Sequence, residues 1–227
     1  MRLDQTVDAL KRAWYPERVI STREIQDRFR RNLARVGGLV KIFQGLRAGS
    51  GRPSKSASLG KAEGDILRSA VIFLHATLED LLRSGKELRF LQAPARAFKR
   101  VRWVPMGSGG EPIEKLKSAL TLQDLAEFRG QTVNDVLLRA LQKRLEHSNY
   151  NNEQDVAGAL DRMGLDLTPF RASFPELRAM MTRRHWIAHR ADVNKDHPHL
   201  TNSITVGEIE KWRMAVASFG DALCASL

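Results

Sequence analysis

The chain has 227 residues, 42% of them hydrophobic, which suffices for one sizeable domain or a domain with a helical extension. No apolar run approaches the roughly 18 residues needed to span a bilayer, and the single cysteine, Cys224, excludes an internal disulfide and any multi-cysteine metal site. Lys and Arg number 37 against 26 Asp and Glu, a formal net charge of +11, so nucleic acid is the first partner to consider, with an anionic membrane or an acidic protein as alternatives.

The opening segment, Met1-Arg2-Leu3-Asp4-Gln5, lacks the apolar core and cleavage site of a signal peptide, and a cytoplasmic protein is expected. Ser21-Thr22-Arg23-Glu24 has capping-box spacing: the serine hydroxyl accepts from first-turn amides while the glutamate reaches back. The helix it opens carries Ile25, Phe29, Leu33, Val36, Val40 and Phe43 on one stripe, and Arg23, Asp27, Arg30, Arg31, Arg35 and Lys41 on the other side. That basic side is either a solvated face or a track for phosphates. Residues 48–61 are small, polar and rich in glycine and serine, the composition of a flexible linker; it divides an N-terminal helical extension over 1–47 from a main domain over 62–227.

The next helix is expected over about 62–84 and is apolar over much of its circumference, which places it centrally in a bundle. Arg68, His75 and Glu79 share one face of it, seven and four residues apart. Polar groups on such a helix must pair internally or face a cavity or interface. Residues 93–103 then interleave Arg96, Lys99, Arg100 and Arg102 with Phe98 and Trp103; this is either a grip on single-stranded RNA or a basic loop with two anchoring aromatics. An aromatic content of 7% argues against an extended base-stacking platform.

Helices are expected over 122–129, about 133–147 behind Thr132, and about 153–163 behind Asn152, with Gly164 as the stop. A further helix begins near Pro175 and runs to about Arg190; the last starts at the capping box Thr205-Val206-Gly207-Glu208, with Ile209, Trp212, Val216 and Phe219 inward. No alternating strand pattern occurs, so the class is all-α.

The helix from about 175 to 190 has an apolar stripe of Leu177, Met180, Met181, Ile187 and Ala188, with Arg184 in its middle. A guanidinium there is costly unless it meets an anion or a carboxylate. His189 lies five residues on, roughly 140° around the helix, so the two do not stand side by side. The segment Arg184-His185-Trp186-Ile187-Ala188-His189 resembles the Arg-x(4–6)-His motif of the HEPN superfamily, in which the residue after the arginine is commonly polar, as His185 is here. The extension His189-Arg190-Ala191-Asp192 resembles the RiboL-PSP-type HEPN families of bacterial defence and RNA processing. The helix from Leu67 through Glu79 to Arg83 is similar to their opening helix. The resemblance covers about 61–227 and leaves the first 60 residues outside it.

This resemblance implies a HEPN-type helical bundle that forms a homodimer, so that two copies of the motif meet in one cleft. It also implies metal-independent cleavage of RNA to 2′,3′-cyclic phosphate and 5′-hydroxyl ends, in a toxin–antitoxin, antiphage or RNA-maintenance setting with an antitoxin or defence partner, and no cofactor or membrane. Histidine suits transfer of the 2′-hydroxyl proton or protonation of the leaving 5′-oxygen, and arginine suits bidentate binding of the scissile phosphate. His189 and Arg184 are the candidates for these roles, with His185 as a polar helper and Glu79 as an orienting carboxylate. Arg183, Arg190, Arg68 and His75 are the candidate substrate-binding residues, and Asp192 either caps the helix end or holds Arg190. His185 and His189 also have the four-residue spacing of zinc ligands, with His197 and His199 near, but Trp186 stands where a zinc-peptidase motif requires glutamate. A HEPN module that binds RNA or protein without cutting, and a basic helical adaptor for membranes or DNA, are the alternatives.

Overall fold

Apolar spacings of three and four residues, bounded by caps, become helices throughout. A computed structural model describes residues 20–49, 61–92, 126, 128–146 and 148–227. The elements are α1 (Thr22–Gly49), α2 (Lys61–Gln92), α3 (Val133–Glu146), α4 (Glu153–Arg162), a 3-10 helix (Thr168–Ser173), α5 (Phe174–Arg190) and α6 (Val206–Ser226). Among the described residues there is no β-strand, only an isolated antiparallel bridge between Val193 and Thr201. The all-α class expected from the sequence holds. The body of the linker, the interleaved basic and aromatic run over 93–103, and most of the helix expected over 122–129 lie outside the described residues.

Both capping boxes form. The Ser21 amide donates to Glu24 Oε2 at 2.9 Å and the Glu24 amide to Ser21 Oγ at 3.3 Å; Thr205 and Glu208 repeat the pair at 2.8 and 3.2 Å. From Thr22 onward the expected extension is part of the common core. The stripe Ile25, Phe29, Leu33, Val36, Val40 and Phe43 is buried, and α1 packs along α2 and against α6. A stripe of that width cannot remain in water, and α6 covers it where Gly220 makes room for the Phe29 ring.

α2 is the central element, touching α1, α3, α4, α5 and α6, which accounts for its apolar circumference. It does not stop near Ser84 as its sequence suggests but continues through Gly85 to Gln92. A side chain on Gly85 would stand 3.3 Å from Met163 Sδ and 3.6 Å from Leu223, so the glycine is a point of close helix approach rather than a stop. Burial of Leu88 and a hydrogen bond from Arg89 to the Ser226 carbonyl offset the roughly 1 kcal/mol that glycine costs within a helix.

α3 and α4 start and end within a residue of expectation, and Gly164 adopts φ +72° just after α4. The 3-10 helix that follows has no counterpart in the sequence reading. It seats the buried Phe170 ring against Phe219 of α6, centroids 5.1 Å apart, and delivers the chain into α5 with Pro175 in the first turn.

Because an added Cβ at position 220 overlaps the Phe29 ring, Gly220→Ala is expected to destabilise the fold by about 1–3 kcal/mol in a chemical-denaturation measurement. The Gly220→Ala, Phe29→Leu pair should recover part of the loss, and additive losses would show that the two positions do not share the packing.

Candidate functional site

Leu177, Met180 and Met181 bury one side of α5 and orient the rest of the helix. The helix ends on two successive left-handed residues, Ala191 (φ 48°) and Asp192 (φ 55°), and the Asp192 amide closes the turn on the Trp186 carbonyl at 3.0 Å. For residues with a side chain this conformation costs roughly 1–2 kcal/mol each. The Asp192 carboxylate is fully buried and holds the turn in place. Its Oδ2 accepts from Arg68 Nε of α2 and from Arg183 Nη2 of α5, each at 2.8 Å. The same guanidinium groups donate onward, Arg68 Nη2 to the Asn202 carbonyl and Arg183 Nη2 to the Ser203 carbonyl, both at 2.8 Å. Arg68 and Arg183, read from the sequence as substrate-binding, are therefore bound to a carboxylate of the protein itself. Asp192 holds these two and not Arg190. A buried carboxylate needs opposite charge and several hydrogen bonds, and the two arginines supply both.

Arg184, the next residue, is different. It is half-buried, its Nη1 lies 3.4 Å from Asn151 Oδ1, and among the described residues it makes no ion pair. Beneath it a polar cluster fixes the turn before α4. His75 is buried and its Nε2–H donates to the Tyr150 carbonyl at 2.9 Å; Glu79 Oε1 accepts from the Tyr150 amide at 3.3 Å; Arg83 donates to the Ser148 carbonyl at 2.8 Å. Glu79 Oε2 lies 3.5 Å from Arg83 and 3.9 Å from His75 Nδ1. Burial pushes the His75 imidazole below its ordinary value; the Tyr150 carbonyl and Glu79 oppose that shift, while Arg184 and Arg83 add to it. The polar face of α2 thus divides its work. Arg68 secures the turn after α5, and His75 and Glu79 secure the loop that meets Arg184.

His185 and His189 are exposed on the last turns of α5, with ring centroids 4.8 Å apart and planes tilted by 48°. Arg190 is exposed and, among the described residues, unpaired. Arg184 turns toward the 148–152 loop while His189 stacks on His185, so one chain does not bring the arginine and the histidine together, in keeping with the 140° step. His197 and His199 lie 6.1 Å apart, and among the described residues no three His, Cys, Asp or Glu side chains are placed to hold a metal ion. No helix of the described residues is long and apolar enough to cross a membrane. Sequence reasoning missed Tyr150, Asn151 and Asn202; none belongs to a periodic stripe, and Asn202 acts mainly through its backbone carbonyl. No family model, curated protein or solved structure matches the chain.

What remains available for chemistry is a guanidinium without an ion-pair partner, two exposed imidazoles and one further exposed arginine, all within the last two turns of α5. Such a set can hold a phosphate and move a proton. Asp192→Ala leaves the part-buried Arg183 without its counter-charge and Arg68 with only the exposed Asp65, and is expected to cost about 3–5 kcal/mol of stability, whereas Arg184→Ala is expected to cost under about 1 kcal/mol in the same urea titration. His75 supplies a pH test. Its folded-state value lies below the ordinary 6.5, so under acid the unfolded chain takes up the proton more readily. Its contribution is complete above about pH 6.5 and falls as the pH drops below that. Melting temperatures should therefore decline between pH 7.5 and 5.5, and His75→Gln, which retains a donor for the Tyr150 carbonyl, should flatten the decline.

Proposed function

We propose that the protein is a metal-independent endoribonuclease of the HEPN type, cleaving RNA to 2′,3′-cyclic phosphate and 5′-hydroxyl ends. One observation carries the reading: of two adjacent arginines, Arg183 is neutralised by a buried carboxylate while Arg184 faces only a neutral amide. A half-buried guanidinium without a carboxylate is a receptor for an anion. The net charge of +11 favours a polyanionic source for it.

In this reading His189 accepts the proton from the ribose 2′-hydroxyl as the 2′-oxygen bonds to phosphorus, or donates one to the 5′-oxygen as its bond to phosphorus breaks. Arg184 binds the non-bridging oxygens and stabilises the charge that accumulates on them. His185 shares the ring contact with His189 and orients it, and exposed Arg190 meets neighbouring phosphates. Glu79 acts at a distance: it fixes the Tyr150 amide, and with it the loop that presents Asn151 to Arg184. Since Arg184 and His189 of one chain face different sides, the reading requires a homodimer in which the ends of two α5 helices adjoin. A toxin–antitoxin, antiphage or RNA-maintenance role, with a protein antitoxin or defence partner, is the setting proposed.

Labelled RNA incubated with the protein in excess chelator should be cut, with cyclic-phosphate ends. His189→Ala and Arg184→Ala should each lower the rate about 100-fold or more. Undiminished cleavage by His189→Ala would refute the assignment, and binding without cutting by the unaltered protein would make it a recognition module. Light scattering at micromolar concentration should give the mass of a dimer.

A further inference from the structure

The loop that follows α5 encloses, with the outer side of that helix, a cleft of about 310 Å³, near the lower end of small-ligand sites. Trp186 forms one wall, and Asn194, Lys195 and Asp196 line the other side. The wall is built before any ligand arrives. The Asn194 amide donates to the Leu200 carbonyl and the Asn202 amide to the Asp192 carbonyl, each at 2.8 Å, and Val193 pairs with Thr201.

Three properties of the cleft converge. First, the Lys195 ammonium lies over the half-buried indole, 4.6 Å from a ring centroid. Such a contact at an exposed site is worth about 0.5–1 kcal/mol, less than the roughly 1–3 kcal/mol of a nucleobase stacked on an aromatic ring. A base can displace the ammonium, which then remains beside it to meet a phosphate.

Second, the polar groups of the wall have a defined sense. Asn194 Oδ1 accepts from the Asp196 amide at 2.9 Å and the His197 amide at 3.0 Å, which fixes the side-chain orientation and leaves its NH2 group as a donor. Asn194 and Asp196 both line the cleft, and among the described residues the Asp196 carboxylate has no side-chain partner, so a donor and a two-oxygen acceptor are both available along that lining. Of the four RNA bases, guanine alone carries two parallel N–H donors on its pairing edge, N1–H and the N2 amino group, next to the O6 acceptor. Those two donors suit the carboxylate and O6 suits the Asn194 amide.

Third, Trp186 stands three residues before His189, a helical neighbour spacing of about 5–6 Å between Cβ atoms. A base stacked on Trp186 therefore lies about one helical turn from His189.

We infer that this cleft is a guanine-binding subsite, formed by Trp186, Asn194 and Asp196, that positions a single-stranded guanine nucleotide at the end of α5 that carries His189. The role of the subsite in cleavage rests on the ribonuclease reading; its binding of the base does not. The test uses the full, unaltered chain, titrated in a calorimeter with guanosine, adenosine, cytidine and uridine 5′-monophosphates. Guanosine monophosphate should bind at least about tenfold more tightly than the other three. Asp196→Asn, an exposed change that leaves the fold intact, should bring the four to parity, and Trp186→Ala should weaken all of them. Equal binding of the four by the parent protein, or a guanine preference that survives Asp196→Asn, overturns the proposal. Mapped cleavage sites separate the two readings. Guanine-selective binding by a protein that cuts no RNA upholds the subsite and removes the nuclease, whereas cutting with no guanine at the scissile position and no selective binding does the reverse.

Discussion

A carboxylate sealed from water retains its charge only if the fold surrounds it with donors and cations, and Asp192 is such a group. Two guanidinium groups, from the first turns of α2 and the middle of α5, converge on one of its oxygens, while the amide of Asn202 lies against the other. Each partner also grips the backbone over Asn202 and Ser203, so one ion cluster fastens two helices and the segment leading into α6. Removing Asp192 leaves Arg183 without a carboxylate and Arg68 with only the exposed Asp65, and an uncompensated charge costs far more than the net worth of the pair. The consequence for the site is direct. Ala191 and Asp192 can hold left-handed conformations only because the cluster over-determines them, and that turn fixes where α5 stops and where His189 and Trp186 are displayed.

The same cluster explains how one helix carries both framework and chemistry. Arg183 and Arg184 are adjacent, yet a step of about 100° sends the first toward Asp192 and the second toward the 148–152 loop. Had both met carboxylates, α5 would end in a neutral buried lattice. The second loop is anchored by apolar burial of Tyr150 and by the His75 and Glu79 contacts to its backbone, an arrangement that presents a neutral amide to Arg184 where an acid would have cancelled it.

Much of this architecture is written in local sequence. Capping boxes at Ser21 and Thr205, the stop at Gly164 and the stripes of α1 and α6 follow from spacing and side-chain chemistry alone. Gly85 misleads because a glycine that ends a helix and one that admits a neighbouring helix look alike until Met163 and Leu223 are placed beside it. The expected extension is a related case: composition suggests a division at 48–61, but only the three-dimensional complement of the Phe29 stripe shows that α1 packs into the core. For the site, the sequence places Arg184 on the apolar side of α5 and separates it from His189. It also groups Arg68, His75 and Glu79 on one face of α2. It does not say which arginines are already paired, since that depends on Asp192 and on backbone carbonyls, which carry no sequence signature.

The separation along the chain of the residues that fix the turn has a kinetic side. Arg68 and Asp192 are 124 positions apart, and Arg68 and Asn202 are 134 apart, whereas α1 and α2 adjoin in sequence. Contacts so distant must close a long loop before they repay its entropy, a cost the neighbouring α1 and α2 do not meet. During synthesis the end of α5 leaves the ribosome as an unconstrained helix terminus, and it acquires its final shape only after the Asn202 segment has followed it and returned to α2. The ion cluster is therefore complete only in a chain that already includes the Asn202 segment, and the turn that displays His189 and Trp186 depends on it.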